Sequence, residues 1–356
     1  MMEDEHFKKL KQGVDAWNQW RKNNPSIIPC LRGVDLSHAS LREFDFSYAK
    51  LRAVNFAEAD LTQANLSYAE LCGATLRDAD LTQANLTQAN LTQANLSYAK
   101  LCGATLEKAD LTQANLRISK LIGANLNQAI LQNAELSHAN LTNAKLWKAN
   151  LWGSRLDYAE FWETNLSGAD LSEIELRETK LLGATLWGAN LSKADLRGLN
   201  LSGYNLCEVN FSEANLSRVH ALGTDFTGAK FTGACIEDWN INSETKLDNI
   251  DCKYVYLKSR QQKRLPITGE FTRGEFQTLF TAVLRTADII LHDCIDQRTI
   301  QLIKEAIRQE IQGNATLKKR LKFALKAGGL EALKAIFNHP LFSISAETIR
   351  GWLEAE

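Results

Sequence analysis

Every fifth residue along most of this chain is large and apolar. The positions Leu31, Leu36, Leu41, Phe46 and Leu51, followed onward to Ile241, hold Leu or Phe almost without break, with Ala221 and two late isoleucines as the exceptions. The residue two before each is small in most units, as at Ala39, Ala59, Ala64 and Ala84, and the residue between is usually Asn or Asp. The unit Thr82–Leu86 recurs verbatim as Thr87–Leu91 and Thr92–Leu96. The chain is organised around one long repeat array.

A period of five excludes an amphipathic helix. Five residues advance an α-helix by about 500°, so successive leucines are displaced by about 140° and spiral round every side without forming a buried stripe. In short extended segments alternate residues share a face. Ala84 and Leu86 then point inward and Asn85 outward, and Thr87 and Gln88 turn a corner. Gly occupies the second corner position at Gly73, Gly103, Gly123 and Gly153, where positive φ is cheap. The pattern predicts a chain that winds one short side per pentapeptide around alanines and leucines.

The A-(D/N)-L-x-x pattern over 31–241 resembles the pentapeptide-repeat family. The resemblance implies a mainly β fold, a right-handed quadrilateral β-helix of twenty residues per coil, with stacks at i, i+20 and i+40. Leu51, Leu71, Leu91, Leu111 and Leu131 then form one interior column, and Ala64, Ala84, Ala104 and Ala124 another. At about 4.8 Å per coil the array makes a rod roughly 50 Å long. The segment Trp17-Asn18-Gln19-Trp20-Arg21, the stretch Cys235–Ile241 and the paired Gly-Glu-Phe motifs at 269–271 and 274–276 are similar to cyanobacterial members with a helical C-terminal extension.

Outside the array the period changes. Phe7, Leu10, Val14 and Trp17 recur at helical spacing over residues 4–22, and Asn23-Asn24-Pro25 stops them. Residues 1–30 therefore read as a capping helix and lead-in over the first coil, whose edge is otherwise open; a helix that binds a partner is the sharper alternative. After Ile241 the register fails, and Leu247 to Leu257 reads as a closing strand that ends a β-helix domain at 257. Lys258 to Gly274, with Pro266 and Gly269, reads as a linker. Residues 275–356 carry helical periodicity (Phe276, Leu279, Phe280, Val283, Leu284; Ile300, Ile303, Ile307, Ile311) and read as a small α-helical domain.

Composition narrows the function. The chain has 41 basic and 42 acidic residues, so no net field favours nucleic acid or an acidic membrane. The array holds 18 basic against 24 acidic residues. Arg77, Arg117, Arg177 and Arg197 share one side, interrupted by Asp157, which reads as a solvated surface. No apolar run approaches the length of a membrane span, and no apolar leader follows Met1; a cytoplasmic protein is expected. Seven cysteines without metal spacing, Cys72 and Cys102 on opposite sides, read as free thiols. His38 and His138 share a side but lie five coils apart, roughly 24 Å at strand spacing.

No phosphate loop, CxxC pair, HExxH or nucleophile elbow is present, and a convex rod filled with leucine offers no concave site. Neither an enzyme nor a cofactor, metal or small-molecule substrate is expected. The coils 61–80 and 91–110 are nearly identical but offset by one and a half turns, with charges swapped at Glu70/Lys100, Arg77/Glu107 and Asp78/Lys108, so they read as spacer. Later coils are less regular. Trp147, Trp152, Trp162 and Trp187 all occupy the outward corner just after the inward residue, where Ser or Thr is usual, and Ile122 and Leu182 share the corner column of Trp162. The favoured reading of these groups is intramolecular, with the C-terminal helices folded back over them or the rings lying flat across neighbouring coils; the sharper reading is a protein-partner surface, which exposed aromatic clusters often mark. The leading expectation is a rigid scaffold that binds protein partners. Resemblance to fluoroquinolone-resistance members implies the alternative, a DNA-mimicking inhibitor or protector of a DNA-processing enzyme such as gyrase, although the array's mixed charge is weak mimicry.

Overall fold

The computed structural model describes residues 2–176 and 178–280, and the chain divides into two compact units, Met1–Asp195 and Leu196–Glu356.

In the first unit the repeat winds with a coil of twenty residues. Each outward Asn or Asp forms a parallel bridge with the residue twenty positions on, as in Asn65↔Asn85 and Asn85↔Thr105. The backbone accounting closes within five residues. Leu86 N–H donates to Thr105 O at 2.6 Å, Gln88 N–H to Glu107 O at 2.9 Å, and Asn90 N–H to Ala69 O at 2.9 Å. Ala89 N–H closes the corner on Leu86 O at 3.0 Å. The remaining donor, Thr87 N–H, is accepted by the Asn85 Oδ1 at 3.0 Å. A short polar side chain at that position thus satisfies the one N–H that the ladder leaves over. This explains why Asn and Asp dominate there, more fully than an outward ladder of amides does, although such rungs also occur (Asn65 Nδ2 to Asp45 Oδ1, 2.9 Å).

The second corner residue is left-handed throughout, as a type II turn requires. Gly73 and Gly103 meet that need without strain (φ 66° and 65°), but Gln83, Gln88 and Gln93 adopt the same conformation (φ 59°, 56° and 58°). A left-handed residue with a Cβ costs roughly 1–2 kcal/mol, so the ladder and interior must offset this repeatedly.

The interior follows the spacing. Leu51, Leu71, Leu91, Leu111 and Leu131 are fully buried, as are Ala64, Ala84, Ala104 and Ala124. Each such leucine contributes roughly 1.5–3 kcal/mol of transfer free energy. Polar substitutes at the small position are tied back to the chain: Ser119 Oγ donates to Leu116 O at 2.6 Å, and Thr164 Oγ1 to Leu141 O at 2.7 Å. Ser154 Oγ is buried without a partner.

The N-terminal segment forms two helices rather than one, α1 (Met2–Leu10) and α2 (Val14–Asn23). Gly13, at φ 94°, breaks the run. α2 lies on the first coil. Trp17, fully buried, donates Nε1–H to Asp45 O at 2.8 Å, and Arg21 Nη2 donates to Ser47 O at 2.7 Å.

In the second unit the same kinds of corner and rung recur, with Phe211, Phe226 and Phe231 filling the interior. The register expected to fail at Ile241 shifts by one residue instead. Rungs such as Asn200↔His220 are spaced by twenty, whereas Asp225↔Lys246, Lys230↔Asp251 and Cys235↔Tyr256 are spaced by twenty-one. Thr245 absorbs the insertion: its hydroxyl donates to Ala221 O at 2.8 Å and accepts Asn242 N–H at 3.1 Å. The segment read as a closing strand is therefore further coil, with Leu247 and Cys252 buried. It ends in a short hairpin, β1 (Val255–Lys258) against β2 (Gln262–Leu265). β2 falls inside the expected linker. Residues 275–280 are helical, and Phe276 packs against Phe231 at 5.8 Å. The rest of the expected helical domain lies outside the described residues.

Candidate interaction surface

The corner residues named from the sequence all lie in the first unit. In each five-residue side the inward Leu or Phe fixes the ladder, and the next residue leaves it at the first corner position with its side chain outward. Trp147 N–H is accepted by Asn127 Oδ1 from the coil before at 3.0 Å, and Trp152 N–H by its own turn partner Asn150 Oδ1 at 3.0 Å. The carbonyls enter the ladder: Trp162 O accepts Asn143 N–H at 2.8 Å, and Trp187 O accepts Gly168 N–H at 2.8 Å. The backbone is therefore held on both sides while the rings project.

Exposure confirms the direction of these side chains. Trp147 and Trp152 are 38% and 37% exposed, Trp162 is 43%, Trp187 is 50%, Ile122 is 40% and Leu182 is 72%. Serines in the corner positions Ser67 and Ser97 are by contrast buried. Trp162 and Leu182 occupy one column one coil apart, joined by the Glu163 N–H to Leu182 O bond of 2.9 Å. Trp147 and Trp187 share the next column two coils apart, and Trp152 lies on the side beyond. Lys148 Nζ sits 4.5 Å from the Trp147 ring and Lys180 Nζ 5.5 Å from Trp162, while Lys180 also pairs with Glu160 at 2.7 Å. Cations over two of the rings make this an apolar surface with basic edges.

The charged groups elsewhere in the unit are interleaved. Lys100 pairs with Asp80 at 3.4 Å, Lys193 with Glu173 at 3.2 Å, and Arg155 reaches both Glu135 and Asp157. Arg77 pairs with Asp78 at 3.3 Å; Arg177 lies outside the described residues. His38 is 3.3 Å from Glu58, and His138 stacks on Tyr158. Among the described residues no group of His, Cys, Asp and Glu is placed to hold a metal, and no helix is long and apolar enough to cross a membrane. The described cysteines are free thiols. Burial pushes the Cys252 thiol up to about 12, so it does not supply a thiolate near neutrality.

One feature of the first coil was not legible in the repeat. Val34 and Ala39 hold interior positions yet are only half-buried, whereas their equivalents Val54 and Ala59 are buried. A cavity of about 500 Å³ lies at Ala39, walled by Phe7, Leu10 and Val14 on one side and Leu36, Leu41 and Phe44 on the other. The signal was Gly13, which turns the helical segment away.

The parallel ladder of twenty-residue coils defines the class, a quadrilateral β-helix. Within that class, the model of pentapeptide repeats matches this chain in eight copies between residues 30 and 238, more than half its length. The chain belongs to the pentapeptide-repeat family. Its solved neighbours include HetL, a pentapeptide repeat protein involved in heterocyst differentiation regulation from the cyanobacterium Nostoc, at 26% identity over 68% of this chain and 98% of that one, with a TM-score of 0.35. QnrB1, a plasmid-mediated fluoroquinolone resistance protein, is 17% identical over 60% of this chain and 92% of its own, with a TM-score of 0.27. A thylakoid-lumen pentapeptide repeat protein of Arabidopsis thaliana is 28% identical over 42% and 70%, with a TM-score of 0.15. No curated protein sequence matches the chain.

Proposed function

We propose that this protein is a non-enzymatic scaffold that binds protein partners through the corner surface of Trp147, Trp152, Trp162, Trp187, Ile122 and Leu182. The observation that carries the reading is the exposure of large apolar groups at corners where the repeat most often places Ser or Thr and elsewhere mainly charged or polar residues. Half-exposed tryptophans on a backbone fixed by the ladder offer wide contact area with little ordering cost, the property of residues that dominate interface energy. In this reading residues 1–30 cap part of the first coil, 31–257 belong to the β-helix, and 258–274, with β2 inside it, leads to the helical domain expected at 275–356. The interleaving of Lys and Arg with the carboxylates tells against mimicry of a polyanion.

The test compares wild type with the triple change Trp147→Ser, Trp152→Ser and Trp187→Ser. Immobilised full-length protein should retain a defined set of proteins from its native extract, and the folded triple variant should lose them. Retention of the same set by the variant would remove these residues from the binding surface.

A further inference from the structure

The ladder rule specifies which backbone groups of the first coil need partners from outside. On every side, the bridging residue presents its N–H and O, and the first corner residue its O, toward the preceding coil. The first coil has no preceding coil. On the side of Lys50 the lead-in supplies the partners: Pro29 O accepts Lys50 N–H at 2.8 Å, and Leu31 and Gly33 N–H donate to Lys50 O and Arg52 O at 2.9 and 3.0 Å. On the side of Asp45, α2 supplies them with side chains. Asn18 Oδ1 accepts Asp45 N–H at 2.9 Å, Trp17 caps Asp45 O, and Arg21 caps Ser47 O.

On the other two sides the helices wall a hollow and Asn18 Nδ2 donates to Glu43 O at 2.9 Å, but the ladder groups themselves are left over. Asp35 N–H, Asp35 O, Ser37 O, Ser40 N–H, Ser40 O and Arg42 O meet no protein group among the described residues. These six groups repeat the spacing of two ladder sides, and they lie beside the cavity at Ala39. An unpaired strand edge next to an apolar hollow is the arrangement that accepts an added strand, with backbone bonds giving affinity and the hollow reading a side chain. Lys11, over the Phe7 ring at 4.3 Å, and Arg42, in an exposed pair with Asp60 at 3.4 Å, are the basic groups of the lining, and Asp35 is its acid. Asp35 is already committed, its Oδ1 accepting Ser37 N–H at 3.0 Å and Asn55 Nδ2–H at 2.9 Å.

We propose that this open half of the first coil is a docking edge for an acidic peptide segment of a partner protein, which follows the corner at Ser37 and His38, adds two parallel rungs at Asp35 and Ser40, and seats apolar side chains against Leu36, Ala39, Leu41 and Phe44. The basic lining selects an acidic segment, and the parallel ladder sets its direction. This edge is separate from the tryptophan corners, so either can fail without the other.

The probe is a fluorescently labelled peptide, Ala-Asp-Leu-Glu-Glu-Ala-Asp-Leu, titrated into the full-length protein and read by anisotropy. Its two leucine N–H groups are placed to donate to Asp35 O and Ser40 O. Saturable binding is expected below about 1 mM, weakened at least about tenfold when both leucines are N-methylated, since each lost donor forfeits a hydrogen bond. Ala39→Phe, which fills the hollow at a half-exposed position, should abolish binding; the exposed pair Lys11→Glu with Arg42→Glu should weaken it if Ala39→Phe fails to fold. The Trp147→Ser variant should bind as wild type. Equal affinity of the N-methylated peptide, or no saturation, would overturn the proposal. So would concentration-dependent dimers that Ala39→Phe dissolves, because the occupant would then be a second copy of the chain.

Discussion

The spacer coils between Leu61 and Leu116 and the later coils from Leu121 to Asp195 share one interior but carry different corners. Leu91 and Leu151 are equally buried in the same column, as are Ala84 and Ala144. Both regions close their turns on an Asn or Asp side chain: Thr87 on Asn85, and Trp152 on Asn150. Yet Thr87 and Trp147 stand in one corner column, one small and polar, the other a half-exposed indole. The fold is therefore carried by three positions in five, and the first corner residue is left to whatever the surface must do. A repeat with this division can lengthen by copying and acquire a surface later, coil by coil.

The largest effects belong to the two interiors, which should respond alike. Leu91→Ala in the spacer and Leu151→Ala in the later coils should each cost about 2–5 kcal/mol, since both leave a cavity in a closed stack. Urea unfolding of each variant checks this, and a clear difference between them would mean the later coils pack differently. Overpacking should act next. Ala84→Phe and Ala124→Phe each place a ring in a column of fully buried alanines and should cost about 1–3 kcal/mol or more. An unchanged midpoint for either would show that its alanine column tolerates volume.

How much of this was readable in advance follows the same division. The period of five, the inward Ala and Leu, and the positive φ at the second corner were legible because each is a steric demand repeated dozens of times. The role of Asn85 in closing its own turn was less visible, because an outward amide serves an Asx turn or a ladder equally well from sequence alone. The ends were the least legible. Gly13 splits the N-terminal helix, and Thr245 lets the coil continue past Ile241 with one extra residue; both are single events that a periodic pattern cannot encode. The half-open side at Val34 and Ala39 is a consequence of where α1 and α2 run, for which the break at Gly13 is the one local signal. The tryptophan corners were recognisable because they break the local Ser/Thr rule.

A smaller effect concerns acid. Asp225 lies well below the usual carboxylate range: burial works against its charge, but the Thr227 hydroxyl, the Lys246 ammonium at 2.9 Å and the Thr227 N–H outweigh it. A carboxylate whose folded pKa is depressed adds stability above its unfolded value of 3.8, and that stability is lost as pH falls through the folded value. Asp60 and Asp80, closing turns on Thr62 and Thr82, are shifted in the same direction. Wild type should therefore lose stability as pH drops below about 4. Asp225→Asn, which keeps an acceptor for Thr227 N–H but cannot titrate, should show a shallower loss. Equal acid sensitivity in the variant would place the titrating groups elsewhere.

The smallest expected effect belongs to the corners and separates them from the interior. Trp147, Trp152 and Trp187 changed together to Ser should alter unfolding free energy by no more than about 0.5 kcal/mol per site, the range of ordinary surface substitutions, measured by urea denaturation beside Leu91→Ala. A triple variant as stable as wild type is the expected result and leaves the rings available for partners. A loss as large as that of Leu91→Ala would contradict the separation of interior from corner and make the tryptophans part of the fold.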